Sequence, residues 1–371
     1  MRPSAALLAF LILIMPATGQ TPVTVAQLEQ FLTSSRASKL SDNEIARRLS
    51  RSELSEQLTA ARLARILAET KLRPETAGQL EIMSAASLFE PAPASDLPQW
   101  PSPDAATQGE MLKVVRDRVG EELHLLPDFL ATRVTRSFDN APIPGEKERS
   151  KPTVQIHFVR EYRSGIAMRN GREVNRAIGG EAVTGDMRPA PTGLSSWGEF
   201  GAILTIVLSD SFSGSVQWNR WQRTETGKRI AVFHYQIPQP ASHYTVDFCC
   251  YRKSQDDPTL YPFHGKPGYE GEIYIDTEGG TIDRITLKAE LGQDDPVTKS
   301  AIAVQYGEVS IDGRRYVCPV RSVAISELHN RAIEKIDGIG LERHLNEGQF
   351  IDYHKFGSTM RVVGAEPEAP R

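Results

Sequence analysis

The spacing of apolar residues changes period along the chain. Over residues 24–89 it is helical: Val25, Leu28, Phe31 and Leu32 fall on one side of a helix. A nine-residue pattern follows. Ser41 to Glu44 precedes Ile45 and Leu49, Ser50 to Glu53 precedes Leu54 and Leu58, and Thr59 precedes Leu63 and Leu67. The first two are Ser-x-x-Glu capping boxes. Nine residues at about 100° each reverse the face, so one long helix would scatter these pairs. Three short helices folded back on each other would gather them in one small core. Leu80, Ile82, Met83, Leu88 and Phe89 add a helix after Pro74. Met111 to Leu126 reads as one further amphipathic helix, with Leu112, Val115, Val119 and Leu123 apolar.

From Pro127 the period becomes two, the mark of strands. Strands are expected over 129–138, 154–162, 215–223, 229–237, 243–252, 269–276, 281–291, 299–311, 314–326 and 348–357. Turns are expected at Arg163-Ser164-Gly165, at Asn170-Gly171, the strongest two-residue hairpin signal, at Thr277 to Gly280 and at Ile311 to Gly313. Residues 179–193 read as a Gly- and Pro-bearing loop. One helix, 197–208, interrupts the strands and puts Phe200, Ile203, Leu204, Val207 and Leu208 on one side. The fold class is therefore α+β: an N-terminal helical segment, then a mostly antiparallel curved sheet, half-barrel-like, with one helix on its concave face.

Pro91, Pro93, Pro98, Pro101 and Pro103 make 91–108 a semi-extended linker, in which Trp100 is expected to dock on a neighbour. This divides the chain into a helical domain, 20–90, a linker, 91–108, a helix-plus-sheet domain, 109–357, and a flexible tail, 358–371. Residues 1–19 read as a signal peptide. Arg2 supplies the basic start, Ala5 to Met15 the apolar core, and Ala17 and Gly19 the small residues before a cut. Eleven apolar residues are too few to span about 30 Å of hydrocarbon, and no later segment reaches that length. The expected location is outside the cytoplasm, periplasmic or extracellular.

Of the 371 residues, 40% are hydrophobic and 24% charged, with a formal net charge of −4. That balance excludes a disordered or multi-span chain and does not call for nucleic acid. The nucleophile elbow, the zincin helix, the phosphate-binding loop and the dinucleotide fingerprint are all missing from the sequence. His344, Glu347, Asp352 and His354 form the densest acid–histidine group and read as a solvated strand edge. His243 and Tyr244 near the cysteines show no ligand triplet. Asp256-Asp257 and Asp294-Asp295 each precede a proline and read as turns. No metal or cofactor is expected. Trp218, Trp221, Phe233 and Tyr235, with Phe200 and Leu204 from the helix, either pack as ordinary core under that helix or line an apolar cleft, for which they are the candidates. On a regular strand Trp218 and Arg220 share one face and Trp221 takes the other. Cys249 and Cys250 are adjacent, so one of them is expected to reach Cys318 in a disulfide, which requires their strands to be neighbours; the alternative is three unpaired buried thiols.

Trp218 to Trp221, Gly227 to Tyr235, the hairpin Gly271-Glu-Ile-Tyr-Ile-Asp-Thr-Glu-Gly-Gly-Thr-Ile-Asp-Arg-Ile-Thr286 and Val304 to Gly307 follow a long helix in order. This succession resembles the periplasmic lipoprotein-carrier (LolA-like) half-barrels, sigma-factor regulatory sensors of that fold included, over residues 127–357. The Cys-Cys pair and Tyr316-Val-Cys-Pro319 also resemble a set of secreted bacterial proteins. The helices at 24–89 depart from the carriers, which start near the barrel. The resemblance implies a curved sheet that holds a lipid, acyl chain or other hydrophobic small molecule, or a peptide from an envelope protein, without catalysis. The alternatives are a scaffold or sensor that binds partners through the N-terminal helices, and a hydrolase with a dispersed site.

Overall fold

The computed structural model describes residues 22–70, 72–141, 156–170, 172–176, 202–211, 213–224, 226–251, 259, 261–292, 294–329, 334 and 340–355. The chain divides into two compact units, Met1–Asp96 and Leu97–Arg371. The boundary falls inside the proline-rich segment. The expected leader (1–19), the 179–193 loop and the tail (358–371) lie outside the described residues.

The first unit is helical: α1 (Val25–Ala37), α2 (Asp42–Leu49), α3 (Ala60–Thr70) and α4 (Pro74–Ala86). Thr24 and Gln27 form a reciprocal capping box at α1, and Ser41 caps α2. At α4, Arg73 gives no side-chain cap; Asp42 of α2 instead accepts from the Glu75 and Thr76 N–H groups, at 3.1 and 3.3 Å. The second Ser-x-x-Glu box starts no helix. Leu54 bridges in parallel to Val23, and the buried Ser84 and Ser87 hydroxyls hold the backbone of Leu58. These competing bonds keep that stretch non-helical. Leu54 and Leu58 still join Ile45, Leu49 and Ile66 in one core, so the expected gathering of apolar pairs is met with one helix fewer.

The second unit opens with α5 (Ala105–Leu125). It starts before Met111 because the Asp104 carboxylate accepts from the Thr107 N–H at 2.7 Å, which caps a polar first turn. Twelve strands follow among the described residues: β1 (Phe129–Asp139), β2 (His157–Arg169), β3 (Arg172–Arg176), β4 (Ser215–Arg223), β5 (Arg229–Ile237), β6 (Val246–Tyr251), β7 (Tyr261–Gly265), β8 (Gly268–Asp276), β9 (Thr281–Glu290), β10 (Val297–Ile311), β11 (Arg314–His329) and β12 (Leu341–Lys355), with α6 (Ala202–Asp210) between β3 and β4. Ten strands form one open antiparallel sheet in the order β3-β2-β1-β12-β11-β10-β9-β8-β5-β4, and β6 pairs with β7 alone. The class is α+β.

Arg163-Ser164-Gly165 is not a turn. It runs through the middle of β2 opposite Val134, Arg133 and Thr132; eleven cross-strand pairs with β1 outweigh a weak local signal. Asn170, at φ 50°, does turn the chain. Two helices rather than one cover the sheet. Val115 and Val119 of α5 join Ile203, Leu204, Val207 and Leu208 of α6 in a single core with Phe233, Tyr235, Ile273, Ile275, Ile285 and Val304 of the sheet.

Candidate functional site

The aromatic residues singled out in the sequence meet on the helix-covered face. Phe233 and Tyr235, two apart on β5, are 1% and 0% exposed, and Leu204 of α6 is 6% exposed. The register of β4 against β5 slips between Trp218 and Arg220. This bulge turns Trp221 onto the same face as Trp218, ring centroids 4.8 Å apart, and sends Arg220 to the opposite face. The expected alternation is corrected by that one extra residue. Trp218 meets Phe233 edge to face at 5.5 Å. Trp100 of the linker packs on Trp221 at 5.9 Å, beneath the Arg223 and Arg229 guanidinium groups. Trp221 Nε1–H donates to the Pro101 carbonyl at 2.8 Å. The Tyr235 hydroxyl donates to the Thr286 carbonyl at 2.7 Å, and burial holds its pKa well above the usual range. Among the cleft candidates, then, Trp221, Phe233, Tyr235 and Leu204 are core, Trp218 is partly buried against that core, and Phe200 lies outside the described residues.

One opening on this face adjoins the same core. It has a volume of about 480 Å³ and lies between the first turns of α5 and the end of the β8–β9 hairpin. Met111, Val114, Val115 and Ile275 form its apolar wall; Thr107, Glu110 and Thr277 bring polar atoms. Val115 and Ile275 also belong to the core cluster and Met111 packs against it, so the floor of the opening is the edge of that core. Val114 is 42% exposed. Gly280, at φ +63°, lets the hairpin pass close to α5, since a Cβ there would stand 3.1 Å from a Val114 methyl. No sequence signal marked this groove, because α5 carries it on a turn whose start depends on the Asp104 cap.

Two polar nodes flank the core. At the end of α6, the Asp210 carboxylate is 1% exposed. It accepts from the His243 N–H at 2.8 Å and the Tyr269 hydroxyl at 2.8 Å, and its other oxygen meets His243 Nδ1 at 2.6 Å. Burial and this carboxylate push the Tyr269 pKa up strongly. The node fastens α6 to β8 and to the segment before β6. On the other sheet face Arg220 makes a two-pronged ion pair with Glu272, at 2.5 and 2.9 Å. Arg284 stacks on Tyr274 at 3.8 Å. Burial works to raise the Glu272 pKa, but the bonds from Arg220 win and hold it below the usual value.

The structure separates the acid–histidine group of β12. His344 is buried, Glu347 turns to Arg321, and the exposed His354 bonds the backbone of Asp352. Among the described residues no group of three or more His, Cys, Asp or Glu side chains is placed to hold a metal. Asp295 accepts from the Gly292 N–H at 2.7 Å, which is turn chemistry; Asp256 and Asp257 lie outside the described residues. The disulfide expectation is overturned. Cys318 is a free, buried thiol. Its strand β11 lies between β10 and β12, whereas Cys249 and Cys250 stand on β6, whose partner is β7. The side chains of Cys249 and Cys250 lie outside the described residues. Among the described residues no helix is long and apolar enough to cross a membrane.

No family model matches this chain, and no curated protein or solved structure is detectably similar to it.

Proposed function

We propose that this is an exported, non-enzymatic protein that holds an acyl chain in the groove between α5 and the β8–β9 hairpin. One observation carries the reading: the groove of about 480 Å³ has an apolar wall, Met111, Val114, Val115 and Ile275, set at the edge of the core, a size in the range of small-ligand sites. Each CH₂ taken from water contributes about 0.8 kcal/mol, so ten carbons supply about 8 kcal/mol before ordering costs. The half-barrel resemblance of residues 127–357 and the leader-like start, Met1 to Gly19, agree with such a role.

The test is titration of the purified mature chain with a fluorescent dodecanoate analogue. Val114→Asp places a charge in the groove wall, and Ala106→Trp fills its mouth from an exposed position. Each should weaken binding about tenfold or more, the effect of desolvating a charge or losing two buried methylenes, with unchanged circular dichroism. Equal affinity in wild type and both variants would remove the groove from consideration. Export has its own check. Terminal sequencing of protein from the envelope fraction should begin at Gln20, and an intact Met1 there would exclude cleavage.

A further inference from the structure

The face that α5 and α6 cover grades from apolar to polar across the sheet. Residues directly opposite each other in antiparallel strands share a face. From the core residue Val304 one row runs Ser322, Gly348, Thr135, Tyr162 across β11, β12, β1 and β2. The next runs Ile302, Ala324, Asn346, Ser137, Arg160, and the third Ser300, Ser326, His344, Asp139, His157. Small hydroxyls and amides thus replace aliphatic side chains from β11 onward.

Three side chains here are buried with an unpartnered polar atom. Thr135 and Ser137 are each 1% exposed and His344 is 4% exposed. Thr135 Oγ1, Ser137 Oγ and His344 Nδ1 have no hydrogen-bond partner, nor has Nε of Arg160. His344 Nε2 is engaged by Glu342 at 2.9 Å. Such groups lose their hydration unless something else satisfies them, and here they cluster on adjacent strands. On the β2 side burial falls off: Arg160 and Tyr162 are half-buried, the guanidinium 5.4 Å over the ring.

We infer that this patch is a binding site for a small saccharide. Its donors and acceptors interleave. Arg160 only donates, the buried Asp139 only accepts, and the two hydroxyls do both. An anion would meet the carboxylates of Asp139 and Glu342, and a cation would meet Arg160. A sugar hydroxyl, which gives and takes one hydrogen bond, fits both kinds of partner, and Tyr162 offers a ring beside them. The site is distinct from the α5 groove and does not depend on it.

The mature chain is titrated calorimetrically with glucose, galactose and N-acetylglucosamine, with inorganic phosphate as the control. At least one sugar should bind saturably and one to one, and phosphate should not. Thr135→Val with Ser137→Ala should weaken that sugar about tenfold, as expected for one or two lost hydrogen bonds. If that double variant does not fold, Arg160→Gln, at a half-buried position, gives the same reading. The inference is overturned if no sugar saturates, which leaves ordered water only, if phosphate binds instead, or if both variants keep the wild-type affinity.

Discussion

Cys318 is 1% exposed, and burial pushes its thiol pKa up to about 12. A thiol that stays protonated is a poor nucleophile. Iodoacetamide at pH 8 should therefore leave Cys318 unmodified in the native protein and modify it in urea, as read by peptide mass mapping; rapid native labelling would show the site to be open. The cysteine also shows where residue-level reasoning stops. That adjacent side chains on a strand point to opposite faces was legible from Cys249-Cys250 alone. Which strand lies beside which was not, because pairing over long sequence separations leaves no local trace. Asn219 makes a similar point. Nothing in Trp218-Asn-Arg-Trp221 announces a bulge, yet that one slip puts Trp221 in the core with Trp218 packed against it and gives Arg220 to Glu272.

Among the elements, β4 and β5 lie where period-two alternation and flanking glycines put them. Two strands ran well past their expected ends: β2 through Ser164-Gly165 into the buried Ile166, Ala167 and Met168, and β12 through Glu342 to Glu347, polar but for Leu345 and Gly-free. In β2 the Ser-Gly turn signal masks the apolar residues behind it, whereas the charged and amide residues of β12 face ion pairs or the hydroxyl-rich patch, so their burial is polar and invisible to a hydrophobic pattern. The same holds for the Arg220–Glu272 pair that ties β4 to β8. Glu272→Gln leaves Arg220, 15% exposed, without its counter-charge, which costs about 3 kcal/mol; urea denaturation at pH 7 measures it. The pH dependence follows from the lowered Glu272 pKa. The carboxylate stabilises the fold fully above the unfolded value near 4.5, and that contribution is lost as pH falls through the lower folded value. The wild type should lose its advantage over Glu272→Gln below about pH 4; a gap that stays constant down to pH 2 would contradict this assignment.

For the whole molecule, the proline-rich segment is held at both ends. Pro91 accepts from the Gln57 N–H at 2.7 Å in the first unit, and Trp100 and Pro101 are fixed to Trp221 in the second. The stretch between Asp96 and Trp100 is left for a protease, and limited digestion should cut there first, giving two stable fragments by mass spectrometry. Early cleavage inside β8–β11 would speak against two compact units. The sheet also has a consequence in time. β1 is hydrogen-bonded both to β2, its neighbour in sequence, and to β12, the last strand; Asn140 at its end binds the Leu341 carbonyl about 200 residues further on. A chain emerging from the ribosome can form the β1–β2 hairpin early, but that hairpin has nothing to dock on until β12 is made. Such a high contact order implies slow folding, with the free flank of β1 open to other chains in the interval. Nascent chains truncated before Leu341 should accordingly aggregate or require a holdase, and completing the final strand is what commits the protein to its native state.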